Sequence, residues 1–126
     1  MKTLKIGIAS YDRMKARTMA IARGEYKPAT GEPSVWFNSI ESFAKVLSEH
    51  NRELLAMIAQ GKPDSLTELA EFTGRSTSNL SRTLKTMERY GLVELSAGRR
   101  GRLIPRVPYD RVTLDVALTM PPRRVA

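Results

Sequence analysis

Residues 65–93 read SLTELAEFTGRSTSNLSRTLKTMERYGLV, and two helices joined by a turn can be traced through them. Ser65-Leu66-Thr67-Glu68 has the form of a capping box: the serine oxygen takes a first-turn N–H and the glutamate reaches back to the cap. The helix it opens is expected to run to about Phe72. Gly74 supplies the turn, and Ser76 caps a longer helix ending near Tyr90-Gly91. Ala70, Gly74 and Leu80 have separate mechanical reasons for their spacing. A small residue at Ala70 lets the second helix approach the first. Gly74 takes the backbone shape of the turn without steric cost, and Leu80 is the inward anchor of the second helix. Leu84 and Met87 continue that anchor line, while Leu66 and Leu69 give the first helix its core side.

Working outward, Asn38 or Ser39 can cap a helix from Ile40, with Ile40, Phe43, Ala44 and Leu47 on one face. Ser48 restarts the chain as a cap for Asn51–Ala59, and Gly61 and Pro63 are expected to end that helix. On the far side, Leu92-Val93-Glu94-Leu95 reads as a strand and residues 96–102 as a glycine-rich basic turn. Leu103-Ile104 resumes the apolar pattern until Pro105 and Pro108 interrupt it. Helices followed by a hairpin describe a winged helix-turn-helix. At the start of the chain Leu4, Ile6 and Ile8 alternate with Lys5 and Gly7 as a half-buried strand. Ser10 caps a helix over Tyr11–Arg23 with Met14, Thr18, Ile21 and Ala22 at helical spacing, stopped at Gly24. Glu25–Ser34 is expected to be a linker, and Val35-Trp36-Phe37 an apolar cluster whose tryptophan anchors a core or a dimer contact. Val112, Leu114, Val116 and Leu118 alternate as a last strand, before a tail, Met120–Ala126, expected to fray. The expected fold is mainly α with a small β-sheet (α+β): a winged helix-turn-helix over 33–108, an N-terminal strand–helix extension over 1–32, and a C-terminal strand and tail over 109–126.

Bulk properties agree with that size. The chain has 126 residues, 41% hydrophobic and 27% charged, ordinary usage for one domain with an extension. No cysteine is present, which excludes disulfides, thiolate metal sites and a cysteine nucleophile. No apolar run approaches the ~20 residues that cross a bilayer, so no membrane association and a cytoplasmic location are expected. The net charge of +8 is unevenly placed. Residues 33–74 hold three basic and six acidic groups, whereas 75–106 hold eight and two. A concentrated excess of this kind favours a polyanionic partner.

On the second helix, Ser78, Arg82, Lys85 and Arg89 point within about 40° of the direction opposite Leu80, at ~100° per residue. A solvated outer face is the plain alternative. As the second helix of a helix-turn-helix, however, it is expected to enter the major groove of double-stranded DNA. There Arg82 can fork to guanine, and Thr77, Ser78 and Asn79 can reach base edges or phosphates. Arg75 and Ser76 stand at the helix N-terminus, which favours a phosphate; Lys85 belongs to the same DNA-facing stripe, and Arg89, farther along, neutralises backbone. Gly98-Arg99-Arg100-Gly101-Arg102 is the expected wing tip, with Arg99, Arg100 and Arg102 on phosphates or in the minor groove.

Val35-Trp36-Phe37-Asn38-Ser39-Ile40-Glu41-Ser42, Leu47-Ser48, Asn51-Arg52-Glu53-Leu54-Leu55, Asn79-Leu80-Ser81-Arg82-Thr83-Leu84-Lys85 and Tyr90-Gly91-Leu92-Val93 resemble the MarR-like winged-helix regulators of prokaryotes. These are often paired with small toxins as antitoxins. The resemblance covers roughly 35–118, and Thr3–Ile8 and Ala16–Gly24 look like the leading extension of some members. It implies a DNA-binding transcription regulator, an autorepressor, with a cognate toxin as a partner it could accompany. A protein that mainly masks a toxin is the other reading, with its energy in residues 1–32.

Catalytic chemistry finds little support. His50 is the single histidine, where a metal site wants two or three N or S ligands. Phosphate-binding glycine loops and nucleophile elbows are absent, so neither an enzyme, a cofactor nor a metal is expected. The two alternating strands, around Ile6 and Leu114, each need a partner. They can pair with each other within one chain or across two subunits; the second is favoured, giving a homodimer whose half-sites lie about 34–36 Å apart.

Overall fold

The structure, a computed structural model, describes residues 2–119. In chain order its elements are β1 (Thr3–Ile8), α1 (Tyr11–Ala22), β2 (Val35–Phe37), α2 (Ile40–Val46), α3 (Glu49–Gly61), α4 (Leu66–Thr73), α5 (Thr77–Arg89), β3 (Glu94–Ala97), β4 (Leu103–Arg106) and β5 (Arg111–Asp115). A single 3-10 turn, Arg99–Gly101, joins β3 to β4. This is an α+β fold. No helix among the described residues is long and apolar enough to cross a membrane.

The chain forms two compact units, and they do not follow the linear segments 1–32, 33–108 and 109–126. One comprises 3–43 with 111–119. The other comprises Lys2 with 44–110, inserted between β2 and β5. The reason is strand pairing.

In the first unit β1 is the centre of a three-stranded parallel sheet, ordered β2-β1-β5. Leu4 pairs with Val112, Ile6 with both Leu114 and Val35, and Ile8 with Phe37, so these side chains share one face. Leu4, Ile6 and Phe37 are buried there, and the Phe37 and Phe43 rings meet edge to face at 5.5 Å. The expected pairing across subunits is therefore corrected: β1 takes β5 from its own chain. β5 also stops at Asp115 rather than running on through Leu118, which is 95% exposed. The frayed tail expected over Met120–Ala126 lies outside the described residues.

Ser10 Oγ accepts the Arg13 N–H as expected of a cap, but the packed side of α1 is rotated from the expected one. Ala20 is buried and Met14 and Ile21 half-buried, while Thr18 and Ala22 face solvent. Arg17 explains the rotation. Its guanidinium lies 5.2 Å from the Trp36 ring and 5.7 Å from the Tyr26 ring, and pairs with Glu32 at 2.9 Å. Residues 25–34 are accordingly not a free linker. The Glu32 carboxylate accepts from Ala29 N–H (2.8 Å), Arg17 and the Tyr26 hydroxyl, and Ser34 N–H donates to the Lys5 carbonyl. These bonds hold the Glu32 carboxyl down at about 2, the Ala29 N–H foremost.

In the second unit α3, α4 and α5 bury Leu54, Ile58, Leu69, Leu80, Leu84 and Met87 around a common core. The core also takes Leu92 and Val93, which precede β3 instead of opening it. Ser48, Ser65 and Ser76 cap α3, α4 and α5 through their hydroxyl oxygens. Gly74 adopts φ +76° and its N–H reaches the Ala70 carbonyl at 2.8 Å, closing the turn between α4 and α5. Gly61 departs from expectation. It lies inside α3, and Lys62 takes the left-handed position at φ +44°. A Cβ on Gly61 would stand 2.8 Å from Phe72 Cε2, so the glycine serves the approach of α4 instead of stopping α3.

β3 and β4 form an antiparallel hairpin with Ala97 opposite Leu103 and Leu95 opposite Pro105. Pro105 was expected to interrupt the pattern and instead sits fully buried within β4. A two-stranded sheet leaves every strand an open side, where the missing donor of proline costs nothing. Arg106 ties the hairpin base down, donating to the Pro63 carbonyl at 2.7 Å and meeting Asp64 at 3.6 Å.

Candidate nucleic-acid interface

The outer face of α5 follows from its inner one. Leu80, Leu84 and Met87 are wholly buried, which turns Ser78, Arg82, Lys85 and Arg89 to solvent. Ser76 Oγ accepts the Asn79 N–H at 3.1 Å and lies 3.3 Å from Ser78 Oγ, so the cap orders the first turn of the helix. Thr77 is exposed beside them and Asn79 is half-buried. Thr86 links Arg82 and Arg89: its hydroxyl donates to the Arg82 carbonyl and accepts from the Arg89 guanidinium.

The hairpin tip is tightly wound. Gly98 N–H donates to the Arg102 carbonyl at 2.6 Å, and Arg102 N–H to the Arg99 carbonyl at 3.1 Å. Gly98 lies close under Ile104: a Cβ there would stand 2.7 Å from Ile104 Cδ1, so that side chain would have to shift. Arg100 and Gly101 both take positive φ, +59° and +73°. The arginine thus occupies a backbone shape that glycine would hold at lower cost. Arg99, Arg100 and Arg102 are all exposed.

The cations of 75–106 divide by what they touch. Arg75 is committed to the fold. Its guanidinium donates to the His50 carbonyl at 3.0 Å and to Asn51 Oδ1 at 3.3 Å, tying the turn before α5 to the start of α3. Arg106 is committed likewise. Among the described residues, the side chains of Arg82, Lys85, Arg99, Arg100 and Arg102 have no hydrogen-bond or ion-pair partner. The expected interface residues therefore fall on α5 and the hairpin tip, with Arg75 the exception. Nothing in the local sequence marks Arg75 as spent, because its acceptors lie 24 and 25 residues away. No cluster of three or more His, Asp or Glu side chains that could hold a metal occurs among the described residues.

α4, the Gly74 turn, α5 and the β3–β4 hairpin follow one another in the chain within an α+β fold. The model of the HVO_A0114 family matches residues 46–114, more than half of the chain, and the protein belongs to that family. The match spans the inserted unit from the end of α2 through β4 and most of β5, and leaves out β1, α1 and β2. No curated protein and no solved structure matches the chain.

Proposed function

We propose that this protein is a sequence-specific, double-stranded DNA-binding transcription regulator. It is a winged helix-turn-helix that acts in the cytoplasm as a homodimer and represses its own operon. The observation that carries this reading is the set of uncommitted cations on α5 and the hairpin tip, while Arg75 and Arg106 serve the fold. Helix α5 is the recognition helix. Its first turns, Thr77, Ser78, Asn79 and Arg82, read base edges in the major groove, and Lys85 and Arg89 meet phosphates farther along. Ser76 and the first-turn N–H groups receive a phosphate at the positive end of the helix. The β3–β4 hairpin is the wing, with Arg99, Arg100 and Arg102 straddling the backbone or entering a narrow minor groove.

A mobility-shift series and a footprint on DNA upstream of the protein's own gene test the proposal. Protection of a short two-fold site, with affinity falling steeply as salt rises, is the expected result. Equal affinity for that DNA and for unrelated duplexes at every salt concentration would sink it.

A further inference from the structure

We infer that the outer edge of β5 is the contact between two copies of this chain, paired antiparallel about a two-fold axis at Thr113. Among the described residues β5 is an edge strand: β1 covers one side of it, and no other described strand covers the second. Exposed edges are usually blunted by proline, a bulge or a lysine. Arg111–Asp115 (RVTLD) has none of these between its two terminal charges.

Its residues are complementary to themselves. Arg111, Thr113 and Asp115 share one face, and Val112 and Leu114 the other. In an antiparallel pair, residues directly opposite each other lie on the same face. Shifting the pairing by one residue would set the apolar face against the polar one. Among registers that keep the faces together, the one centred on Thr113 alone sets Arg111 opposite Asp115 of the second copy. By symmetry it makes that ion pair twice. The same register sets Val112 against Leu114 twice, where Leu114 is left 40% exposed by its own chain. The result is a continuous six-stranded sheet, β2-β1-β5 from each copy. Asp115 already faces Lys5 at 3.7 Å, and both side chains are about half exposed.

This contact supplies the homodimer of the proposed regulator, but it is tested without DNA, so either can fail alone. Arg111→Asp and Asp115→Arg are made separately in the full chain, and dimer dissociation is measured by sedimentation equilibrium. Each variant alone sets like charges opposite one another and is expected to weaken the dimer about tenfold. An equimolar mixture restores both ion pairs and is expected to recover the wild-type constant within about threefold, as is the R111D/D115R double variant. Thermal melts show whether each chain is folded, and recovery in the mixture excludes misfolding as the cause of weakening. A wild-type chain that stays monomeric at tens of micromolar, single variants that dimerise as tightly as wild type, or a mixture no tighter than its components would each overturn the inference.

Discussion

Trp36 on β2 packs its indole against Gly7 on β1: a Cβ at position 7 would stand 2.5 Å from Cζ3 and 2.6 Å from Cε3. The two residues are register partners across the parallel pair, so the largest side chain of the strand lies over the residue with none. Pro33 closes the same space, its Cγ 2.9 Å from the same point. Gly7→Val should therefore destabilise the protein by about 1–3 kcal/mol through overpacking. Trp36→Leu in the same chain should recover part of that loss. Urea unfolding of the three variants measures both effects, and additive losses would show that the two positions do not share this space.

Arg82→Ala should cost about 1–3 kcal/mol of operator affinity and relax the preference for one base pair if Arg82 reads guanine. Arg99→Ala should weaken binding to all sequences alike and flatten the dependence of log K on log salt. A mobility-shift titration against operator and scrambled duplexes at several salt concentrations separates the two behaviours.

Arg100 offers a trade. Arg100→Gly relieves the φ of +59° and should leave thermal stability unchanged or raise it by up to about 1 kcal/mol, while removing the phosphate contact proposed for this side chain. The variant should melt no lower than wild type and bind DNA more weakly. Unchanged DNA affinity would take the hairpin tip out of the interface.

Glu32 makes stability depend on acid. Its folded carboxyl sits at about 2 against an ordinary 4.5, so its bonds contribute fully above 4.5 and are lost as pH falls toward 2. Glu32→Gln should flatten the fall in melting temperature across that window. The Tyr26 phenol runs the opposite way: donating to Glu32 raises it above its usual 10, so its contribution is lost only as pH rises beyond that value. Tyr26→Phe should leave the acid limb in place but shallower, because Ala29 and Arg17 still hold the carboxylate.

Features set by neighbours a few residues away were legible in the sequence. The four serine caps of α1, α3, α4 and α5, the Ala70–Gly74 turn and the anchor line Leu80, Leu84, Met87 all stand where spacing put them, because helical geometry relates residues one or two turns apart. The uncommitted cations of α5 follow from the same arithmetic. What escaped depends on distant chain. Alternation could set β1 against the last strand but could not say that both come from one chain, and parallel pairing leaves no turn signal. Gly61 looked like a helix stop because its actual constraint, Phe72, belongs to the next helix. Arg75 counted as free charge until Asn51 and the His50 carbonyl came beside it. Glu32 looked like linker because its three donors arrive from α1 and from its own loop.

Placing β1 against β5 has a consequence for how the chain is made. Leu4 and Val112 are partners more than a hundred residues apart, so β1 leaves the ribosome long before its neighbour exists. At about 5–20 residues per second, the nascent strand waits roughly 5–20 s with one side bare. Within that interval the local contacts of 44–110 can close, since short loops form first and long ones last. Stalled or truncated translation products that end before Arg111 would carry an exposed parallel edge around Ile6, and chaperone capture and aggregation would fall on them first.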